Sequence, residues 1–190
     1  GAGGMRLLRS VLFCPGTRPD RILKALTQLP ADAVVADLED AVAPSSKASA
    51  RSSALEALTG GGWDPSRRTA AVRVNGLDTE HGLEDVRAVC RAVGEDGAAV
   101  HAIVVPKVDS PASLAPLGPL LSPLGALAPS VWAMIETPAG VLSAAAVAAH
   151  PSVSALVVGA NDLTKSLRAR PHPSRLPLLL ARQTAVLAAR

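Results

Sequence analysis

A chain of 190 residues with 48% hydrophobic content can bury a substantial core and is long enough for one domain or part of a larger one. Only 2% of it is aromatic, so Ala, Val and Leu do the packing, and a net charge of +3 from scattered Arg, Lys, Asp and Glu argues against a nucleic-acid partner while leaving small anionic ligands open. Cys14 and Cys90 are too few and too far apart for a disulfide framework or thiolate metal site, which favours a reducing cytoplasm, and no run reaches the ~20 apolar residues of a membrane span.

Residues 1–4 read as a flexible leader. The following arginines and apolar stretch have the outline of a signal peptide, but "SVLFC" is too short and runs into Pro15-Gly16, so it reads as a first strand ending in a turn. Further short apolar runs follow: "AVVADL" at 33–38, "AAVRV" at 70–74, "AIVVP" at 102–106, "VWAMIE" at 131–136 and "ALVVG" at 155–159. Most are apolar on both alternating faces, as in parallel strands covered on both sides. Between them lie helical patterns such as "PDRILKALTQL" and "EHGLEDVRAVCRAV", with Pro19 placed for a first turn. "LTGGGWDPS" is a loop, "DSPASLAPLGPLLSPLGALAPS" a surface connection holding one short helix, and "SRLPLLLARQTAVLAAR" a closing helix. Six βα units spaced this way fit a doubly wound sheet or a (β/α)₈ barrel, which typically takes about 250 residues.

In either architecture ligands bind at the carboxyl ends of the strands, so the polar residues that end each run are the place to look. Run two ends in Asp37, Glu39 and Asp40, run three carries Arg73 and Asn75, run four ends in Lys107, run five in Glu136, and run six in Asn161-Asp162. Neighbouring parallel strands lie about 4.8 Å apart, so Glu136 and Asp162 can share one hard cation. Mg²⁺ fits best, because it takes oxygen ligands and no His or Cys cluster exists for zinc. The competing reading is that each acid caps the helix that follows it. On the functional reading, backbone amides at Asn161, Asp162 and Leu163 face a substrate carboxylate. Gly16, Thr17 and Arg18, in "CPGTRPDR", either bind phosphate at a helix start or form a plain turn. Lys107 likewise is a phosphate ligand or a structural ion-pair partner, and Arg73 can pair with Asp37 or Glu39 as well as bind substrate.

The motifs "RSVLFCPGTRPDR", "DAVVADLEDAV", "VRVNG", "IVVPKV", "MIETPAGV" and "VVGANDLTKSL" together resemble the citrate lyase β-subunit-like proteins of the HpcH/HpaI aldolase and citrate lyase superfamily. That resemblance implies a (β/α)₈ barrel, here about six βα units without the last two or a C-terminal lid, over residues 5–190. It implies a Mg²⁺-dependent carbon–carbon lyase acting on acyl-CoA thioesters such as citramalyl-CoA, malyl-CoA or citryl groups, with a 2-oxo acid as the other partner, in a homo-oligomer. Carried over to this chain, Glu136 and Asp162 are metal ligands, Arg73 contacts the oxo-acid oxygen, and Asp37 and Glu39 stand beside the metal as catalytic support. The family's proton-transferring Asp belongs to a C-terminal segment beyond these 190 residues. An aldolase of free hydroxy-oxo acids, or a catalytically weak binding remnant, is the alternative.

Overall fold

The computed structural model describes residues 8–190, and the expected leader at residues 1–4 lies outside the described residues. Six strands form one sheet: β1 (Val11–Pro15), β2 (Ala33–Asp37), β3 (Thr69–Arg73), β4 (Ala102–Val105), β5 (Ser130–Ile135) and β6 (Val153–Val158). Each matches one of the apolar runs read from the sequence to within a residue or two. All five pairings are parallel, and the spatial order is the chain order. A doubly wound sheet reverses its order at a switch point, and this sheet has no reversal. With right-handed crossovers, stepping always to the next strand puts every helix on the same face, which is the winding of a (β/α)₈ barrel wall.

Side-chain alternation along the strands confirms two distinct faces. Val34, Ala36, Val72, Ile103, Val105, Ala133 and Ile135 pack with the helices in the larger core. Ala33, Val35, Ala71, Ala102, Val104, Trp132 and Met134 form a second cluster on the opposite face, the barrel interior. The covering helices are α1 (Pro19–Thr27), α2 (Lys47–Thr59), α3 (Glu80–Gly94), α4 (Gly118–Leu121), α5 (Pro138–Ala148), α6 (Ala160–Ser166) and α7 (Leu179–Ala188). The proline-rich connection does contain one short helix, α4, but 3₁₀ turns at Pro111–Leu117 and Ser122–Leu127 flank it, because prolines interrupt the α-helical bond pattern. Thr79 and Thr137 cap α3 and α5 by accepting from the Gly82 and Gly140 amides. The edge strands differ from the central four. Val11, Leu12 and Phe13 of β1 are exposed, and β6 is half-buried along most of its length, since each has a neighbour on one side only among the described residues.

Candidate active site

The period of two that builds the barrel interior also aims the polar residues. Asp37 follows Val35 by two positions, Arg73 follows Ala71 by two, and Glu136 follows Met134 by two, so all three continue the interior face at its carboxyl end. Register does the rest: Asp37 and Arg73 are direct partners across β2 and β3. Arg73 donates through Nε to Asp37 Oδ1 at 2.7 Å and through Nη2 to Asp37 Oδ2 at 2.6 Å, a two-point fork. Its Nη1 lies 2.9 Å from Glu39 Oε2 and 3.4 Å from Asp40 Oδ2. The Glu39 contact is an ion pair without hydrogen-bond alignment, so Oε2 is buried with no aligned donor. The Phe13 ring covers the guanidinium at 5.4 Å. Burial opposes the Arg73 charge, but Asp37 first, then Glu39 and Asp40, outweigh it and hold its pKa above the ordinary arginine value.

Glu39 is placed by its own backbone. Asp37 accepts from the Glu39 and Ala41 amides, closing a tight turn after β2. The ammonium of Lys47, on α2 and itself buried, donates to the Leu38 and Glu39 carbonyls at 2.8 and 2.6 Å. The Glu39 side chain then accepts from Lys107 Nζ at 3.1 Å through Oε1.

Glu136 is 2% exposed, and its Oε1 accepts the Lys107 backbone N–H at 2.8 Å. Its other side is shaped by a missing side chain: a Cβ at Gly159 would collide with Glu136 Oε2 and fall 2.6 Å from Glu136 Cβ. Burial raises the Glu136 pKa. The Lys107 amide opposes that rise, and the negative charges of Glu39 and Asp162 add to it. Asp162, in the first turn of α6, shares a cavity of about 430 Å³ with Glu136, Arg73, Asp37, Phe13 and Met134.

The carboxylate pair fits a hard divalent cation. A buried glutamate with one oxygen fastened, a cradle kept open by Gly159, and an aspartate in the same cavity offer anionic oxygen donors, and Mg²⁺ commonly takes one or two carboxylates and completes its shell with water and substrate oxygens. Among the described residues there is no group of three or more His, Cys, Asp or Glu side chains placed as a metal cage. The helix-capping alternative fails for Glu136, since Thr137 caps α5, whereas Asp162 sits in the first turn of α6, where its charge also complements the helix dipole.

The other expected site residues separate. Asn161 lines the cavity and is exposed. Leu163 corrects the expectation of a free amide: its N–H donates to the Gly159 carbonyl at 3.0 Å within the helix, and its side chain is fully buried. Thr17 and Arg18 lie exposed before α1, and Arg18 is already forked onto Asp20. Gly16 is buried, with 2.7 Å between a hypothetical Cβ and Leu38, so it serves the close passage of β1 against the loop after β2. Asn75 turns away to Asp85, which also holds Arg51. Lys107 is held by carboxylates, the pairing half of its two readings. Phe13, Met134, Gly159 and Lys47 were not legible as site residues, since each reads in sequence as an ordinary core, turn or surface residue.

A barrel wall of parallel strands with an arginine and a carboxylate pair at its carboxyl rim places the chain among the (β/α)₈ proteins. The family model for HpcH/HpaI aldolase/citrate lyase matches residues 9–190, and the chain belongs to that family. It is 41% identical over 182 residues to a (3S)-malyl-CoA thioesterase of Cereibacter sphaeroides, covering 96% of this chain and 59% of that protein. It is 34% identical over 165 residues to an L-malyl-CoA/β-methylmalyl-CoA lyase from the same species, covering 84% of this chain and 50% of that one. Thus the chain spans about half to three-fifths of the length of these relatives. Among solved structures, a citrate lyase β subunit from Mycobacterium tuberculosis complexed with oxaloacetate and magnesium superposes with a TM-score of 0.71 at 32% identity, covering 94% of this chain and 72% of that one. A Mycobacterium tuberculosis relative in complex with magnesium, acetoacetate and coenzyme A gives a TM-score of 0.73 at 31% identity, covering 97% and 63%.

Proposed function

We propose that the protein is a Mg²⁺-dependent carbon–carbon lyase that cleaves or forms 3-hydroxyacyl-CoA thioesters of the citramalyl-CoA, malyl-CoA or citryl-CoA kind, yielding a 2-oxo acid and acetyl-CoA. The observation that carries this reading is the single cavity in which Arg73, locked by Asp37, faces Glu136 and Asp162. Cleavage leaves the electrons of the broken carbon–carbon bond on the thioester half as an enolate, while the hydroxyl carbon becomes the 2-oxo carbon and the hydroxyl proton departs. Glu136 and Asp162 would hold Mg²⁺, which would supply Lewis-acid polarisation of the oxygens of the oxo-acid half. Arg73 supplies a fixed cation with donors that Asp37 leaves unused, aimed where negative charge develops. Asp37 and Glu39 fix that cation, while Asn161 and Asp162 border the oxo-acid half at the start of α6. In the same reading Gly16, Thr17 and Arg18 lie toward the coenzyme A half, and the intact protein is a cytoplasmic homo-oligomer.

The enolate carbon takes up a proton in exchange for the one the hydroxyl gives up, and general acid–base catalysis of such a transfer commonly contributes roughly 10²–10⁴-fold. Binding of Mg²⁺ and oxo acid by Arg73, Glu136 and Asp162 is expected whether or not the proton transfer is fast. The relative named as a malyl-CoA thioesterase favours one second reading, hydrolysis of the thioester to hydroxy acid and free CoA. Product analysis separates them: with malyl-CoA or citramalyl-CoA and Mg²⁺, 2-oxo acid with acetyl-CoA supports the lyase, and hydroxy acid with free CoA and no oxo acid contradicts it.

A further inference from the structure

We infer that Lys107 is a positioning residue that partitions charge between the two halves of the site, using its backbone for the metal carboxylate and its side chain to release the substrate arginine. The inference rests on the proposed Mg²⁺ and oxo-acid reading. Lys107 follows the end of β4 with φ +52°, a left-handed conformation that a lysine rarely adopts. The kink is local, because the next amide, Val108 N–H, returns to the Met134 carbonyl at 3.1 Å. It turns the Lys107 N–H onto Glu136 Oε1 at 2.8 Å while the side chain crosses to Glu39 Oε1 at 3.1 Å. One residue thereby joins the metal carboxylate to the acid beside Arg73.

The ammonium has a specific consequence for Arg73. Glu39 is 7% exposed, and its two oxygens are divided between Lys107 and Arg73 Nη1, with the Arg73 contact unaligned. Without the ammonium, Glu39 has Arg73 as its one remaining cation and draws Nη1 into alignment, away from the cavity. The cavity also becomes more negative by one charge, which attracts Mg²⁺ and repels an oxo-acid anion. A charge-partitioning role therefore moves the two affinities in different directions, whereas simple structural damage weakens both.

The test uses Lys107→Met, Lys107→Gly and Lys107→Arg, with calorimetric titration of Mg²⁺ alone and then of pyruvate at saturating Mg²⁺. The glycine variant keeps the amide and accepts positive φ without strain, so it separates the ammonium from the backbone. Both Lys107→Met and Lys107→Gly are expected to weaken pyruvate about tenfold while leaving Mg²⁺ affinity unchanged or tighter, and Lys107→Arg to restore pyruvate binding. Unchanged pyruvate affinity in Lys107→Met and Lys107→Gly, or a parallel loss of both ligands together with a lowered Tm, overturns the inference. Wild-type protein that binds no Mg²⁺ overturns the functional reading, and this inference with it.

Discussion

Glu136 shows how much of the site depends on single atoms. Its carboxylate lies between the Lys107 amide and the bare Cα of Gly159, and a methyl group at residue 159 would collide with Glu136 Oε2 and Cβ. Rotation of the carboxylate alone cannot relieve a 2.6 Å approach to Cβ, so Gly159→Ala should shift the whole side chain. Misplacement on the scale of 1 Å can cost about 100-fold in a positioned site, and Mg²⁺ affinity in this variant is expected to fall at least tenfold by calorimetry. The acidity of Glu136 makes a second expectation. Its pKa in the fold is raised, chiefly by burial, so the protonated form is favoured there relative to the unfolded chain. The metal-free fold therefore loses stability as pH rises from the ordinary glutamate range through the raised value. Metal binding has the opposite slope, because Mg²⁺ displaces the proton: affinity should fall as pH drops through that raised value, beginning above the ordinary glutamate range. Mg²⁺ titrations of the wild-type chain between about pH 8 and about pH 5 check this, and an affinity that stays flat until the ordinary glutamate range contradicts it.

At the scale of elements, the strands were the legible part. Continuous apolar runs mark all six, and the place of Asp37, Arg73 and Glu136 at the ends of their runs marks one rim; that the three share the interior face follows from strand register and packing. Helix α2 is harder to read, because "KASARSSALEALT" buries three alanines and Lys47 beside only two leucines and has no strong apolar stripe. Helix α5 is so uniformly apolar that periodicity carries little information. What sequence could not show was the contact between α2 and the loop after β2. Lys47 looks like a surface lysine among serines, yet its ammonium is buried on two carbonyls that fix the Glu39 turn. Lys47→Met keeps much of the packing volume but strands those carbonyls. Hydrogen bonds to charged groups contribute about 1.5–3 kcal/mol, so a stability loss of about 2 kcal/mol is expected in denaturant unfolding, with weaker oxo-acid binding as Glu39 shifts.

Across the whole molecule, the site is a product of winding order. Because successive strands are neighbours, β2 with β3 brings the arginine clamp together and β5 with β6 brings the carboxylate pair together, while Lys107 from β4 ties the two. Val11, Leu12 and Phe13 of β1 are exposed and β6 is half-buried, each strand having one neighbour among the described residues. Unpaired strand edges of this kind also favour association between chains. The central claim is that Glu136 and Asp162 hold Mg²⁺ beside Arg73. It is tested most directly by calorimetric titration of Mg²⁺, then pyruvate, into the wild-type chain and into Glu136→Ala, Asp162→Ala and Arg73→Lys. The wild type should bind both ligands. Glu136→Ala and Asp162→Ala should lose Mg²⁺ while remaining folded, and Arg73→Lys should keep Mg²⁺ and lose pyruvate about tenfold, because lysine keeps the charge without the planar fork. Unchanged Mg²⁺ affinity in both carboxylate variants would contradict the proposed site.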